Sequence, residues 1–156
     1  MKRAHGTIAL LLAVLLAGVA CESDPKGVDP RDVTFAPELG INLDDMTRTS
    51  SGLYHQDVEV GTGATAVAGS WIQVLYRGWL PNGTLFDEAQ DPADPLSFQL
   101  GVGRVIAGWD EGVEGMKVGG LRKLVIPPSL GYGNRPVGPI PANSVLVFEV
   151  RLLAVE

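Results

Sequence analysis

The sequence predicts an α+β fold: an antiparallel β-sheet with one wet face, packed against a single short α-helix. Two observations predict it. Several short runs alternate apolar and polar residues, which marks strands with one buried face. One stretch, "RVIAGWDEGVEGMKVGG" (104–120), spaces Ile106, Trp109, Val113 and Met116 at three, four and three residues, which is the stripe of an amphipathic helix. Strands beside one short helix make an α+β domain.

The elements follow in chain order. Lys2 and Arg3 precede an apolar run, Ile8 to Ala17, which is too short to span a bilayer as a helix. Small residues Ala17, Gly18 and Ala20 come next, and then Cys21, the only cysteine. Residues 1–20 thus read as an export signal. A lone cysteine just after small residues resembles a bacterial lipoprotein signal. That resemblance implies that Cys21 carries lipid, becomes the mature N-terminus and anchors an exported protein to a membrane, facing the periplasm or cell exterior. Gly18 stands where that pattern usually carries an aliphatic residue, and Gly18 with Ala20 also suits ordinary secretory cleavage. Residues 21–51 are rich in Asp and Glu, interrupted by Pro25, Pro30 and Pro37, and without apolar period. They read as an acidic disordered tether, in which Phe35 and Ile41 either dock on the domain or, as the simpler expectation, dangle.

The folded domain is expected over 52–156. "LYHQDVEV" opens it as a strand with His55 exposed. "WIQVLYRGWL" sets Ile72, Val74 and Tyr76 on one face against Gln73, Leu75 and Arg77, and "PNG" (81–83) signals a turn. "TLFDEA" and "LSFQL" are short strands around an acidic loop, "QDPADP". After the helix, "LRKLVIPP" alternates Arg122, Leu124 and Ile126 against Lys123 and Val125. "VLVFEVRLL" sets Leu146, Phe148, Val150 and Leu152 against Glu149 and Arg151.

The helix raises a question. Gly108, Gly112, Gly115 and Gly119 run beside its stripe, and each interior glycine costs a helix about 1 kcal/mol relative to alanine. Glycines there let strand backbone approach closely, with packing rather than propensity holding the helix. Trp109 would then be carried against the sheet, either as ordinary core or as the floor of a cavity.

Composition excludes several chemistries. Twelve Lys and Arg against eighteen Asp and Glu leave a formal charge of −6, which does not suit nucleic acid. The only histidines are His5 and His55, and with one cysteine they form no zinc-binding pattern and no internal disulfide. "GVGRVIAG" hints at a dinucleotide loop, but Ile106 holds the place of its third glycine and the sheet is not parallel. Asp87 has no clear carboxylate or histidine partner, so it reads as a hydrogen-bonding residue at a pocket rim. Asp110, Glu111 and Glu114 read as the helix's wet face.

The motifs "VLYRGWLPNGTLFDEA", "FQLGVGRVIAGWDEGVEGMKVGGLRKLVIPPSLGYG" and "PIPANSVLVFEVRLL" resemble the FKBP family of peptidyl-prolyl cis–trans isomerases across nearly all of 52–156. The resemblance implies a strongly twisted antiparallel sheet wrapped around the helix, with a proline-receiving pocket between them. It makes Trp109 the pocket floor and gives Asp87, Trp109 and Tyr132 catalytic roles, Tyr132 donating its hydroxyl to a substrate carbonyl. Tyr76, Phe86, Leu96, Phe98, Val105, Ile106, Ile140 and Phe148 take the substrate-binding positions, and the Ile106 backbone N–H meets bound ligand. Leu96 stands where an aromatic is common. The stretch from Glu88 to Asp94 lacks the basic residues often found there, and the loop from Asn134 to Gly138 is short and has no histidine.

The implied partners are proline-containing polypeptides, including exported proteins during folding, and the family's macrolide inhibitors. No cofactor or metal is implied. X–Pro rotation crosses a barrier of about 20 kcal/mol and takes tens to hundreds of seconds uncatalysed. Preferential binding of the twisted amide is sufficient to speed it. The alternative is a non-catalytic proline-binding module or chaperone. Strong chaperones of the family often carry an inserted domain or an N-terminal dimerisation module. The short loop and the roughly 30 residues ahead of the domain favour a plain monomeric isomerase.

Overall fold

A computed structural model describes residues 27–156. The export signal and Cys21 lie outside the described residues. Seven strands form one antiparallel sheet: β1 (Thr47–Arg48), β2 (Tyr54–Glu59), β3 (Trp71–Trp79), β4 (Leu85–Ala89), β5 (Leu96–Gln99), β6 (Leu121–Ile126) and β7 (Leu146–Val155). Their order is β1-β2-β6-β7-β3-β4, and β5 also pairs with β3. The outer edge of β3 is shared, since residues 71–74 pair with β5 and residues 76–79 with β4. The acidic 90–95 loop connects those two short strands.

The alternation fixes the inner face. Ile72 and Val74 of β3, Leu124 and Ile126 of β6, and Leu146, Val150 and Leu152 of β7 are wholly buried there. The helix α1 (Ala107–Val113) lies against this face. It is shorter than its stripe: Ile106 is the residue that starts it, and Met116 falls past its end yet stays buried. Gly115, with φ of 84°, turns the chain out of the helix.

Two interior glycines explain how so weak a helix holds. A Cβ on Gly108 would lie 2.6 Å from Ile126 Cγ2, and one on Gly112 would lie 2.7 Å from Leu124 Cδ2. Without them the α1 backbone rests directly on the side chains of β6. The buried Arg122 secures the far end. Its Nη1 donates to the carbonyls of Gly112 (2.9 Å) and Glu114 (3.2 Å), while Nε and Nη2 donate to Asp57 at 2.7 and 3.0 Å. A cation that satisfies the last helical carbonyls also complements the helix dipole.

The outer face corrects the expected tether. Pro30–Asp32, Pro37–Leu39 and Leu43–Asp45 form three 3₁₀ turns that cross this face before β1 joins β2. Leu39 and Met46 are buried with Tyr54, Val125, Val145 and Val147, and Phe35 and Ile41 pack on that cluster. Proline does not break structure here: Pro30 and Pro37 each open a 3₁₀ turn, where a missing N–H costs nothing. Hydrogen bonds hold the strap: Ala36 N–H donates to Pro81 O (2.8 Å), and the Lys123 side chain donates from Nζ to Leu39 O (2.8 Å). The boundary expected at Gly52 therefore falls inside the packed structure. His55 is half-buried in β2 rather than exposed.

Candidate active site

The seating of α1 on β6 sets Trp109 across the inner face. Its indole, 4 % exposed, meets Tyr76 of β3 at 5.0 Å and 84° and Phe148 of β7 at 5.3 Å and 87°. Phe86 of β4 meets Phe148 at 5.5 Å and 89°. These edge-to-face pairs each add about 0.5–1.5 kcal/mol beyond area burial. They depend on Gly78, where a Cβ would lie 2.6 Å from Phe148 and 2.8 Å from Phe86. Trp109 Nε1–H is buried with no hydrogen-bond partner among the described residues. Such an orphan costs about 1–3 kcal/mol and is uncommon outside functional sites.

Above the indole opens a cavity of about 200 Å³. Phe86, Leu96, Val105, Ile106, Trp109 and Phe148 supply its apolar surface. Tyr76, Asp87, Arg104 and Tyr132 supply the polar one. The Tyr76 hydroxyl donates to Asp87 Oδ2 at 2.7 Å. Burial, and then that bond, push the Tyr76 phenol far above its ordinary pKa. Burial, with the Asp87 charge adding to it, also raises Tyr132. Both hydroxyls are therefore neutral donors throughout the physiological range. The Ile106 N–H, at the start of α1, donates to no other backbone group among the described residues. The site thus offers an apolar floor and neutral hydrogen-bond donors at its edge.

The structure gathers Tyr76, Phe86, Asp87, Leu96, Val105, Ile106, Trp109, Tyr132 and Phe148 around this one cavity. Phe98 and Ile140 stand elsewhere. Phe98 is buried against Trp109 at 5.7 Å, and Ile140 is buried in the core, so neither lines the cavity. Two acidic residues of the helix do more than face water. Asp110 accepts N–H bonds from Gly101 (2.7 Å) and Gly103 (3.0 Å), fixing the loop that leads to Ile106. Glu111 accepts from the Ser51 hydroxyl at 2.7 and 2.8 Å. Arg104 lines the cavity without having been singled out from the sequence. Its one signal was its place directly before the Val105–Ile106 pair.

The chain is similar to several known proteins. A family model described as "FKBP-type peptidyl-prolyl cis-trans isomerase" matches residues 63–153. An "FK506-binding protein" of Neisseria meningitidis serogroup B is 53% identical over 105 residues, which cover 67% of this chain and 96% of that one. "FKBP-type peptidyl-prolyl cis-trans isomerase FkpA" of Escherichia coli K12 is 42% identical over 137 residues, covering 88% of this chain and 48% of the relative. That match is longer than the stretch from Gly52 to the C-terminus, so it takes in part of the strap. Among solved structures, AtFKBP13 superposes with a TM-score of 0.66 at 41% identity, over 71% of this chain and 98% of the other. FkpA from Escherichia coli superposes with a TM-score of 0.66 at 45% identity, over 72% of this chain and 52% of its own.

Proposed function

Because this chain belongs to the FKBP-type peptidyl-prolyl cis–trans isomerase family, and so is an enzyme that accelerates rotation about X–Pro bonds, we propose that the prolyl ring turns in the cavity over Trp109. The observation that carries this is the combination of an aromatic floor with neutral donors at its rim. In the rotation transition state the amide has lost resonance, so its carbonyl is less polar than in the planar ground state. A water-poor aromatic cavity disfavours the planar form more than the twisted one. Tyr132 O–H and Ile106 N–H hold substrate carbonyls while the ring turns, so that the twisted form is bound better than either planar form. Asp87 holds the Tyr76 hydroxyl and shapes the rim. Phe86, Leu96, Val105 and Phe148 grip the ring, with Phe98 and Ile140 buried in the core. The step needs no covalent intermediate and no proton transfer.

The same cavity takes the macrolide ligands that the family binds, and the enzyme works as a monomer. The basic start, apolar run and Cys21 support export with a lipid on Cys21. Its natural substrates are then exported polypeptides folding outside the cytoplasm. Cys21→Ser should release the protein from the membrane fraction or block maturation, and labelled fatty acid should enter only the wild type.

A protease-coupled assay on a proline peptide tests the main reading. The wild type should accelerate cis-to-trans conversion, and Trp109 fluorescence should respond to a proline peptide when Trp71 and Trp79 are replaced by Phe. Peptide binding with no acceleration would leave the chain a proline-binding module.

A further inference from the structure

We propose that Arg104 sets substrate choice at this site, favouring X–Pro segments that carry a carboxylate side chain on a residue next to the proline. The inference rests on the isomerase reading of the cavity and adds a substrate class to it. Among the described residues, Arg104 is the only cationic one lining the cavity. It is exposed and forms no ion pair among the described residues, whereas Arg77, Arg122 and Arg151 are each held by a carboxylate at 3.1, 2.7 and 2.9 Å. The other charged residue of the lining, Asp87, comes from β4 and accepts the Tyr76 hydroxyl. No bond of 4 Å or less joins it to Arg104 among the described residues.

The backbone under Arg104 is held in place. Asp110 accepts from Gly101 and Gly103, which take φ of 77° and 75°, so the guanidinium is carried on a pinned turn directly before Val105 and Ile106. A segment whose proline fills the cavity passes this group. An adjacent Glu or Asp offers the planar acceptor that a guanidinium binds in a fork, while Lys or Arg meets like charge. On a chain of net charge −6, with Asp87 as the other charged residue of the lining, Arg104 is the group there that can attract a carboxylate.

The test uses the full chain and two series of proline peptides, with Glu, Gln or Lys placed either directly before or directly after the proline. The readout is the ratio of kcat/KM for the Glu peptide to that for the Lys peptide. In the wild type this ratio should reach about threefold to fivefold in one of the two series at low salt, the scale of an exposed ion pair. It should shrink in about 0.5 M NaCl, where the screening length falls to a few ångströms. Arg104→Met should bring the ratio towards one, and Arg104→Glu should invert it. Thermal melts of both variants confirm that the fold is kept, and either variant alone decides the matter. Ratios that are the same in wild type and variants, in both series and with isomerisation intact, would overturn the role of Arg104. Failure to accelerate any peptide would instead overturn the isomerase reading, and this inference with it.

Discussion

The two faces of the one sheet are packed to different ends. The inner face meets a helix whose glycines let it sit unusually close, and its aromatic side chains stop short of filling the space above Trp109. The outer face meets an irregular strap whose Leu39 and Met46 close over Val125 and Val147. The outer face has Tyr54, Phe35 and Trp79, but among the described residues the paired rings lie on the inner face. The contrast separates two uses of apolar burial: one leaves a small open cavity, and the other seals a sheet surface for stability.

That separation can be broken by mutation. The largest effect is expected at Trp109→Ala, which removes about 3–5 kcal/mol of stability and most of the catalysis together. Its counterpart, Leu39→Ala, should cost about 2–3 kcal/mol in urea denaturation while kcat/KM stays within about twofold. Equal loss of catalysis in the two variants would show that the faces are not independent. Gly112→Val probes the close seating of the helix. Its Cβ would stand 2.7 Å from Leu124 Cδ2, so it should destabilise by about 1–3 kcal/mol through overpacking. It should also lower kcat/KM, because the helix can yield only by moving Trp109.

Smaller effects sharpen the same contrast. Tyr76→Phe removes the hydroxyl bonded to Asp87. A loss of about 1 kcal/mol is expected, read as a several-fold fall in kcat/KM. The pH profiles of the two faces should also differ. Tyr76 and Tyr132 are raised above the ordinary phenol value by burial, so kcat/KM should be flat from about pH 5.5 to 9, below the usual phenol pKa of about 10. Away from the cavity, burial and then the Arg122 charge lower the pKa of His55. The unfolded chain therefore takes up this proton first as pH falls below about 6.5. The stability linked to His55 is complete above that pH and is lost as pH falls through the lowered folded value. Urea titrations of wild type and His55→Asn should diverge on the acid side while their kcat/KM values stay alike. A solvent deuterium isotope effect on the isomerisation should be small, and a steep limb near neutrality would contradict the twist mechanism.

How much of this was legible in the sequence differs between the faces for a physical reason. Strand alternation and a helical stripe are periodic, so Ile72, Val74, Leu124, Phe148 and Trp109 announced the inner face. The strap is built from three-residue 3₁₀ turns with scattered apolar contacts, and a period cannot arise in so few residues. A clue did exist on the partner side. "LVI" in β6 and "LVF" in β7 are unbroken apolar runs, and such runs mean that both faces of a strand are covered. At the site, the resemblance of the motifs to the family marked the aromatic wall. It could not distinguish Phe98 and Ile140, which are buried in the core, from the residues that line the cavity. Arg104 was hidden because a single exposed arginine before a helix looks like any solvated side chain until the cavity beside it is known.

The docked strap has one more consequence, for distance. A free tether from Cys21 to Ser51 would let the domain roam far from any membrane to which Cys21 was attached. With the packed structure taken up from Gly27, six residue steps separate that point from Cys21. Fully extended, six residues reach about 20 Å. A lipid on Cys21 would therefore hold the enzyme in a thin layer at the bilayer surface, where it would meet polypeptides as they emerge from or fold beside the membrane rather than those diffusing freely beyond it.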